Sequence, residues 1–107
     1  MLKHNSQKPR QPKRVVILGA TGFVGGETIS AFERECTEIL ALGRAEIDLL
    51  GPQAGSKLAR LLQPTDTLVM VSAEAPCKDA KMLIRNIQMM IGVCSAITEI
   101  QPAHVIY

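Results

Sequence analysis

A chain of 107 residues has room for one domain of modest size, and its 47% content of hydrophobic residues is enough for a core. The formal net charge of +2 excludes a protein dominated by a basic nucleic-acid-binding surface. A secretory signal and a membrane span are excluded because no apolar run has the length that either requires, roughly 18 residues for the span. We therefore expect a cytoplasmic protein without nucleic-acid or membrane partners.

The basic residues are concentrated before the first apolar run, where two prolines also lie. Residues 1–13 have no periodicity and almost no apolar content, so they are predicted to form a disordered basic tail. Residues 14–107 are predicted to form a single domain. The three cysteines lack the spacing of metal ligands, which favours reduced thiols and no metal site: Cys36, Cys77 and Cys94.

From residue 14 onward, short β-branched or apolar runs alternate with segments of helical spacing. In chain order the pattern predicts strand 15–18, helix 23–35, strand 37–42, a short strand or extended turn at 47–50, helix 54–62, strand 67–71, helix 78–99 and strand 103–107. The first strand is apolar on both faces, which is typical of the centre of a parallel sheet covered on two sides. The alternation indicates an α/β fold, a three-layer doubly wound parallel sheet.

A glycine motif with the spacing Gly-x-x-Gly-x-x-Gly joins the first predicted strand to the first predicted helix. Glycine is common, so the motif carries weight because of this strand-to-helix context. The first glycine allows a sharp exit from the strand, the second lets backbone approach a pyrophosphate, and the third lets the helix pack closely on the sheet. Unpaired N–H groups at the start of the helix would bind the phosphates. The motif predicts a Rossmann NAD(P)-binding fold with cofactor contacts from Gly19, Thr21, Gly22, Phe23, Val24 and Gly25.

Residues 15–25 resemble the fingerprint of the extended short-chain dehydrogenases/reductases, the NAD-dependent epimerase/dehydratase group. The resemblance extends over 14–107, with further similarity at 48–49, 71–73, Asn86 and 105–107. It implies that an Asp-Leu pair lies near the adenine. It also implies that a small-residue strand end lies against the ribose and nicotinamide side of the cofactor. The additional cofactor-binding residues that it implies are Asp48, Leu49, Ser72 and Ala73.

The residues after the second predicted strand are expected to choose the cofactor. An acid there binds the ribose 2′-hydroxyl, whereas an arginine accommodates a 2′-phosphate. This chain has Gly43-Arg44 and no acid before Glu46, which favours NADP over NAD. The alternatives are a solvated Arg44 and, for Asp48, a role in capping a turn. Within the family, Gly-Arg followed by Ile-Asp-Leu is loosely similar to the dTDP-4-dehydrorhamnose reductase branch.

The resemblance also implies that a tyrosine four positions before a lysine supplies the acid–base chemistry, and that pair is missing from the 107 residues. The single tyrosine, Tyr107, is the last residue and lies in a predicted strand. We therefore expect no catalytic residue and a fold truncated after about its fifth strand. The expected function is the dinucleotide-binding part of an extended reductase, epimerase or dehydratase, inactive on its own. A non-catalytic nucleotide-sensing or scaffold module is the alternative, and a Rossmann-like protein with an unrelated ligand ranks third.

The predicted helix at 78–99 is apolar on two adjacent faces. One face is predicted to pack against the sheet: Leu83, Ile87, Met90, Cys94 and Ile97. The second face is predicted to contact a second copy of the chain or a missing part: Met82, Met89, Val93, Ala96 and Ile100. In the resembling family, helices at this position commonly pair between subunits, which makes a homodimer the favoured partner. The alternative is that both faces dock into the chain's own core.

Overall fold

The computed structural model of the chain describes residues 8–107. Within them, four strands and three helices follow one another as β1 (Arg14–Leu18), α1 (Phe23–Arg34), β2 (Glu38–Leu42), α2 (Ala54–Leu61), β3 (Asp66–Met70), α3 (Ala80–Ile100) and β4 (His104–Ile106). Residues 1–7 of the predicted tail lie outside the described residues, and 8–13 form no helix or strand. Disorder of the tail therefore stays a prediction.

The strands form one parallel sheet in the order β2-β1-β3-β4. Helix α1 packs on one face of the sheet, and α2 and α3 pack on the other. The chain winds outward from β1 to β2 and then crosses to β3 on the opposite side of β1. This arrangement confirms the three-layer doubly wound α/β fold. It also places a change of winding direction between β1 and β3, where such folds form a ligand crevice at the carboxyl ends of the strands.

The segment 47–50 is a turn, so the sheet has four strands in the described residues and not the five that a strand there would give. The Asp48 carboxylate accepts a hydrogen bond from the N–H of Leu50 at 3.0 Å, and the N–H of Gly51 donates to the Asp48 carbonyl. Ile47 and Leu49 are buried, which explains why the segment is apolar without being a strand. Of the two predictions for this segment, the extended turn is correct.

Strand β1 supplies the centre of both hydrophobic clusters. Val15 and Ile17 face α1, whereas Val16 and Leu18 face α2 and α3, and all four are fully buried. Successive strand residues point to opposite faces, so a strand covered on both sides is apolar at every position. The continuous run that predicted a central strand is explained by this double coverage.

A buried ion pair joins β1 to β3 at their amino ends. The Arg14 guanidinium donates to both carboxylate oxygens of Asp66, at 2.8 and 2.7 Å, and Asp66 is fully buried. This carboxylate also accepts from the N–H of Gln63 at 2.7 Å. The hydrogen bond to the carboxylate raises the pKa of Arg14. The pair lies at the end of the sheet opposite to the glycine motif.

The prediction for the two faces of α3 is wrong for most of its residues: the face predicted to be free is buried, and of the face predicted to pack only Met90 and Ile97 contact the core, as partly buried side chains. Met89, Val93 and Ala96 are buried, whereas Leu83 and Ile87 are each about half exposed. The orientation of α3 about its own axis is set by its close approach to α2: a Cβ built on Gly55 of α2 would lie 3.0 Å from the carbonyl oxygen of Gly92 in α3. Both faces are apolar, so periodicity alone gave no way to choose between them.

By length and composition α3 is sufficient to cross a membrane, with 21 residues and a mean hydropathy of 1.2 in its most apolar window. The sequence prediction overlooked this because polar residues interrupt its apolar runs. Val93 and Ala96 pack one side of α3 into the core, at 1% and 0% exposure, whereas only 17% of the apolar window is buried.

Candidate functional site

The first part of the site is the loop that leaves β1. Gly19 has a φ of +90°, which side chains rarely adopt, and a Cβ there would lie 2.9 Å from the backbone N of Ser72. The N–H of Gly19 donates to the carbonyl of Leu42 at 3.0 Å. The loop therefore meets the ends of both neighbouring strands, β2 and β3. Only glycine combines this dihedral angle with so close an approach.

The second part is the amino end of α1. Gly22 is the N-cap, with no side-chain hydrogen bond, and the first turn of the helix holds no acidic residue. The N–H of Gly22 donates to the Gly19 carbonyl at 3.1 Å, and no side chain caps the N–H groups that follow it. These first N–H groups have no carbonyl partner within the helix, so the positive end of the α1 dipole lies beside the loop. A Cβ on Gly22 would meet only the Gly19 carbonyl oxygen, at 3.5 Å. The fold thus has room for a side chain at Gly22, so packing alone does not require glycine there.

A cleft of about 370 Å³ opens between these parts, along the carboxyl ends of β1, β2 and β3. Its lining joins segments that are far apart in the sequence. Predicted cofactor-binding residues that line it are Gly19, Thr21, Gly22, Arg44, Asp48, Leu49, Ser72 and Ala73. Apolar side chains from Leu42, Ile47 and Met89 add to the lining. The cleft coincides with the change of winding direction.

Three predicted cofactor-binding residues do not line the cleft. The side chains of Phe23 and Val24 are 85% and 59% exposed at the start of α1, outside the cleft. Gly25 is buried against the Gly19 carbonyl, where any side chain would clash. The geometry gives Gly25 the packing role that the motif predicted.

Asp48 lines the cleft and caps its own turn through the hydrogen bond to Leu50. The turn-capping alternative is therefore present in the structure. One carboxylate oxygen makes this bond, and the side chain is exposed. Leu49 is buried at 7% exposure beside it.

At the end of β2, a short turn brings an acid back to the strand end. The Oε2 of Glu46 accepts a hydrogen bond from the N–H of Gly43 at 2.8 Å, and the Glu46 N–H donates to the Gly43 carbonyl. Arg44 is exposed, and no ion pair within residues 8–107 engages its guanidinium. Glu46 follows Gly43 by three residues, and the turn that begins at Gly43 brings its carboxylate back to the end of β2.

Two consecutive residues of α3 hold Glu74, which follows β3 on the rim of the cleft. The Arg85 guanidinium donates to both Glu74 carboxylate oxygens, at 2.7 and 2.6 Å. The Asn86 amide accepts from the Glu74 N–H at 2.8 Å and donates to its carbonyl at 3.1 Å. The hydrogen bond from Arg85 lowers the pKa of Glu74, and the charge of Arg44 acts in the same direction. Asn86 thus positions the cleft wall next to Ser72 and Ala73.

No family model matches the chain, and no curated protein matches it. Two solved structures are similar to it: one described as a small-chain dehydrogenase and one as a small-chain dehydrogenase in complex with NADPH. Each has a TM-score of 0.60 and 15% sequence identity and covers 83% of this chain. The matches cover 52% and 44% of those chains, so this chain spans about half their length. At this identity the comparison establishes a shared fold.

Proposed function

We propose that residues 14–107 bind a nicotinamide dinucleotide, with its pyrophosphate on the loop between β1 and α1. The observation that carries the proposal is Gly22: the fold leaves its Cβ position open, beside uncapped N–H groups at the cleft. Backbone N–H groups at a helix start bind phosphate when no side chain intervenes. The solved NADPH complex of a small-chain dehydrogenase, which shares this fold, supports the choice of ligand.

Within this proposal, the cofactor is NADP and the chain is the front part of an extended short-chain reductase, epimerase or dehydratase. The exposed Arg44 supports a 2′-phosphate because its guanidinium is unpaired within the described part of the chain. The fingerprint at 15–25 supports the family. Since the chain holds no tyrosine followed four positions later by lysine, we propose that these residues bind cofactor without turning it over.

Fluorescence titration with NADPH tests the proposal. Gly22→Val puts a branched side chain where backbone must meet pyrophosphate, so we expect binding to be lost while the free energy of unfolding changes little. Gly26→Val is the matched control, because a Cβ on Gly26 meets nothing within 4 Å and the residue lies beyond the loop. Equal affinity of the wild-type and Gly22→Val chains for NADPH would refute the phosphate assignment.

We further propose that two copies of the chain pair through α3, by the face that the structure leaves exposed. This outer stripe consists of Ala80, Ile84, Ile87, Ile91, Cys94 and Thr98. Its three isoleucines are 51–63% exposed. The alternating spacing of four and three residues is that of the seam between paired helices. The stripe lies opposite the buried Met89 and Ala96, so it points away from the domain, and a two-fold pairing would cover the same surface on each copy.

A further inference from the structure

The rim of the cleft carries an ion pair that joins the end of β3 to α3. The Arg85 guanidinium donates to both carboxylate oxygens of Glu74, at 2.7 and 2.6 Å, and the two side chains are 40% and 28% exposed. The Asn86 amide holds the Glu74 backbone by two hydrogen bonds. One turn further along α3, Met89 is buried and lines the cleft. The ion pair is therefore held at both ends beside the cleft, by the backbone of Glu74 and by a helix packed into the core.

The charges that line the cleft would oppose an anion if Glu74 had no partner. Among the described residues that line it, Arg44 is cationic, whereas Asp48 and Glu74 carry carboxylates. A dinucleotide brings two phosphates, and like charges repel one another across a solvated cleft. The hydrogen bond from Arg85 lowers the pKa of Glu74 most, and the charge of Arg44 lowers it further, so charges on the two sides of the cleft act on each other. An unpaired Glu74 carboxylate would therefore weaken the binding of the ligand that we propose.

We infer that Arg85 is a positioning residue that neutralises the Glu74 carboxylate and so makes the cleft acceptable to an anionic ligand. Glu74 lines the cleft and Arg85 does not, so Arg85 acts through the carboxylate. Two charge-assisted hydrogen bonds in bidentate geometry hold the carboxylate against its countercharge. The inference rests on the proposed dinucleotide site. It concerns every dinucleotide alike, with or without a 2′-phosphate.

Dissociation constants of NADPH and NADH for three variants of the full chain test the inference. Arg85→Met leaves an unpaired carboxylate, so we expect both cofactors to bind at least about threefold more weakly. Glu74→Gln leaves an unpaired guanidinium, so both should bind at least about threefold more tightly. The double variant carries neither charge and should bind within about twofold of wild type. All three variants lose the ion pair, so a purely structural role would weaken binding in each of them.

Two control variants and a salt series separate charge from structure. Arg60→Met removes a positive charge from an exposed residue of α2, and an affinity within about twofold of wild type is expected. Arg85→Lys keeps the positive charge beside Glu74, and the same result is expected. Added salt should shrink the differences between the two single variants, because screening weakens charge interactions, whereas a displaced loop would not respond in this way.

The outcomes separate the inference from the proposed function. Weaker binding to both single variants, with no recovery in the double variant, overturns the inference and leaves the dinucleotide site standing. Equal affinity of Arg85→Met and wild type for both cofactors has the same meaning. Binding of neither dinucleotide to the wild-type chain overturns both. If Arg85→Met does not fold, Glu74→Gln decides alone, because only the charge argument predicts tighter binding on loss of the ion pair.

Discussion

Gly25 packs so closely on Gly19 that a Cβ built on Gly25 would overlap the Gly19 carbonyl oxygen. One turn of α1 thereby rests directly on the loop that leaves β1. Gly22 stands in the same loop with room around its Cβ position. The glycine motif thus combines two requirements: Gly25 is needed by the fold, and Gly22 is needed by the ligand that we propose.

Gly25→Ala is expected to destabilise the chain by about 1–3 kcal/mol, because the backbone must move to admit the methyl group. Urea unfolding followed by circular dichroism measures the change. Gly26→Ala serves as the control in the same helix: its Cβ position is open, so we expect a gain of up to about 1 kcal/mol from helix propensity. Equal stabilities of the two variants would contradict the packing role of Gly25.

Asp66→Ala is expected to lower the free energy of unfolding by about 3–5 kcal/mol, since it leaves the largely buried Arg14 guanidinium without its partner. Thermal and urea denaturation provide the measurement. Glu27→Gln changes an exposed acid on α1, and a change within about 0.5 kcal/mol is expected. A loss in Asp66→Ala no larger than in this control would show that the ion pair contributes little.

The stability that Glu74 contributes is expected to depend on pH. Arg85 lowers the pKa of Glu74 from its ordinary value of 4.5. A carboxyl group with a lower pKa in the folded state adds stability above its unfolded pKa and loses it as pH falls through the folded pKa. Glu74→Gln should therefore be less stable than wild type at neutral pH, with a difference that shrinks below pH 4.5. Urea unfolding over a pH series checks this, and a difference that stays constant into acid would contradict it.

Arg44→Asp is expected to weaken NADPH binding relative to NADH by at least about tenfold, because attraction to a 2′-phosphate becomes repulsion. Titrations of both cofactors give the ratio. Arg60→Asp, an exposed arginine on α2, controls for the change in net charge. If the ratio did not move, Arg44 would be a solvated residue outside the site.

Ile87→Glu is expected to shift the chain towards monomer, because a carboxylate in the middle of the outer stripe cannot be buried in a pair of helices without a partner. Sedimentation over a concentration series should give a dimer dissociation constant at least about tenfold higher for Ile87→Glu than for the Ser30→Glu control. Ser30 is exposed on α1, so this control adds the same charge elsewhere. A wild-type chain that remains monomeric at high concentration would refute the pairing.

The order of the elements and the position of the loop between β1 and α1 follow from the local sequence. The chain has a β-branched run, then closely spaced glycines, then a segment of helical periodicity. This order is compatible with few structures other than strand, tight turn and helix, because each of these depends on local backbone dihedral angles. Gly19 illustrates this: its φ of +90° is what a sharp strand exit requires. The ion pair of Arg14 with Asp66 was not foreseen, since 51 residues lie between its partners.

Two features depend on the tertiary structure: which face of α3 is covered, and the presence of the Glu46 carboxylate at the end of β2. Both faces of α3 are apolar, so its rotation depends on the close approach of Gly55 to Gly92, a contact between two helices. The segment 47–50 is a turn: its apolar side chains Ile47 and Leu49 are buried in the core, although its backbone does not pair with the sheet. The Glu46 carboxylate reaches the N–H of Gly43 because the intervening turn brings these two residues within hydrogen-bond distance. The periodicity of apolar residues depends only on their spacing along the chain. Side-chain packing and electrostatic interactions depend on the positions of residues in the folded structure.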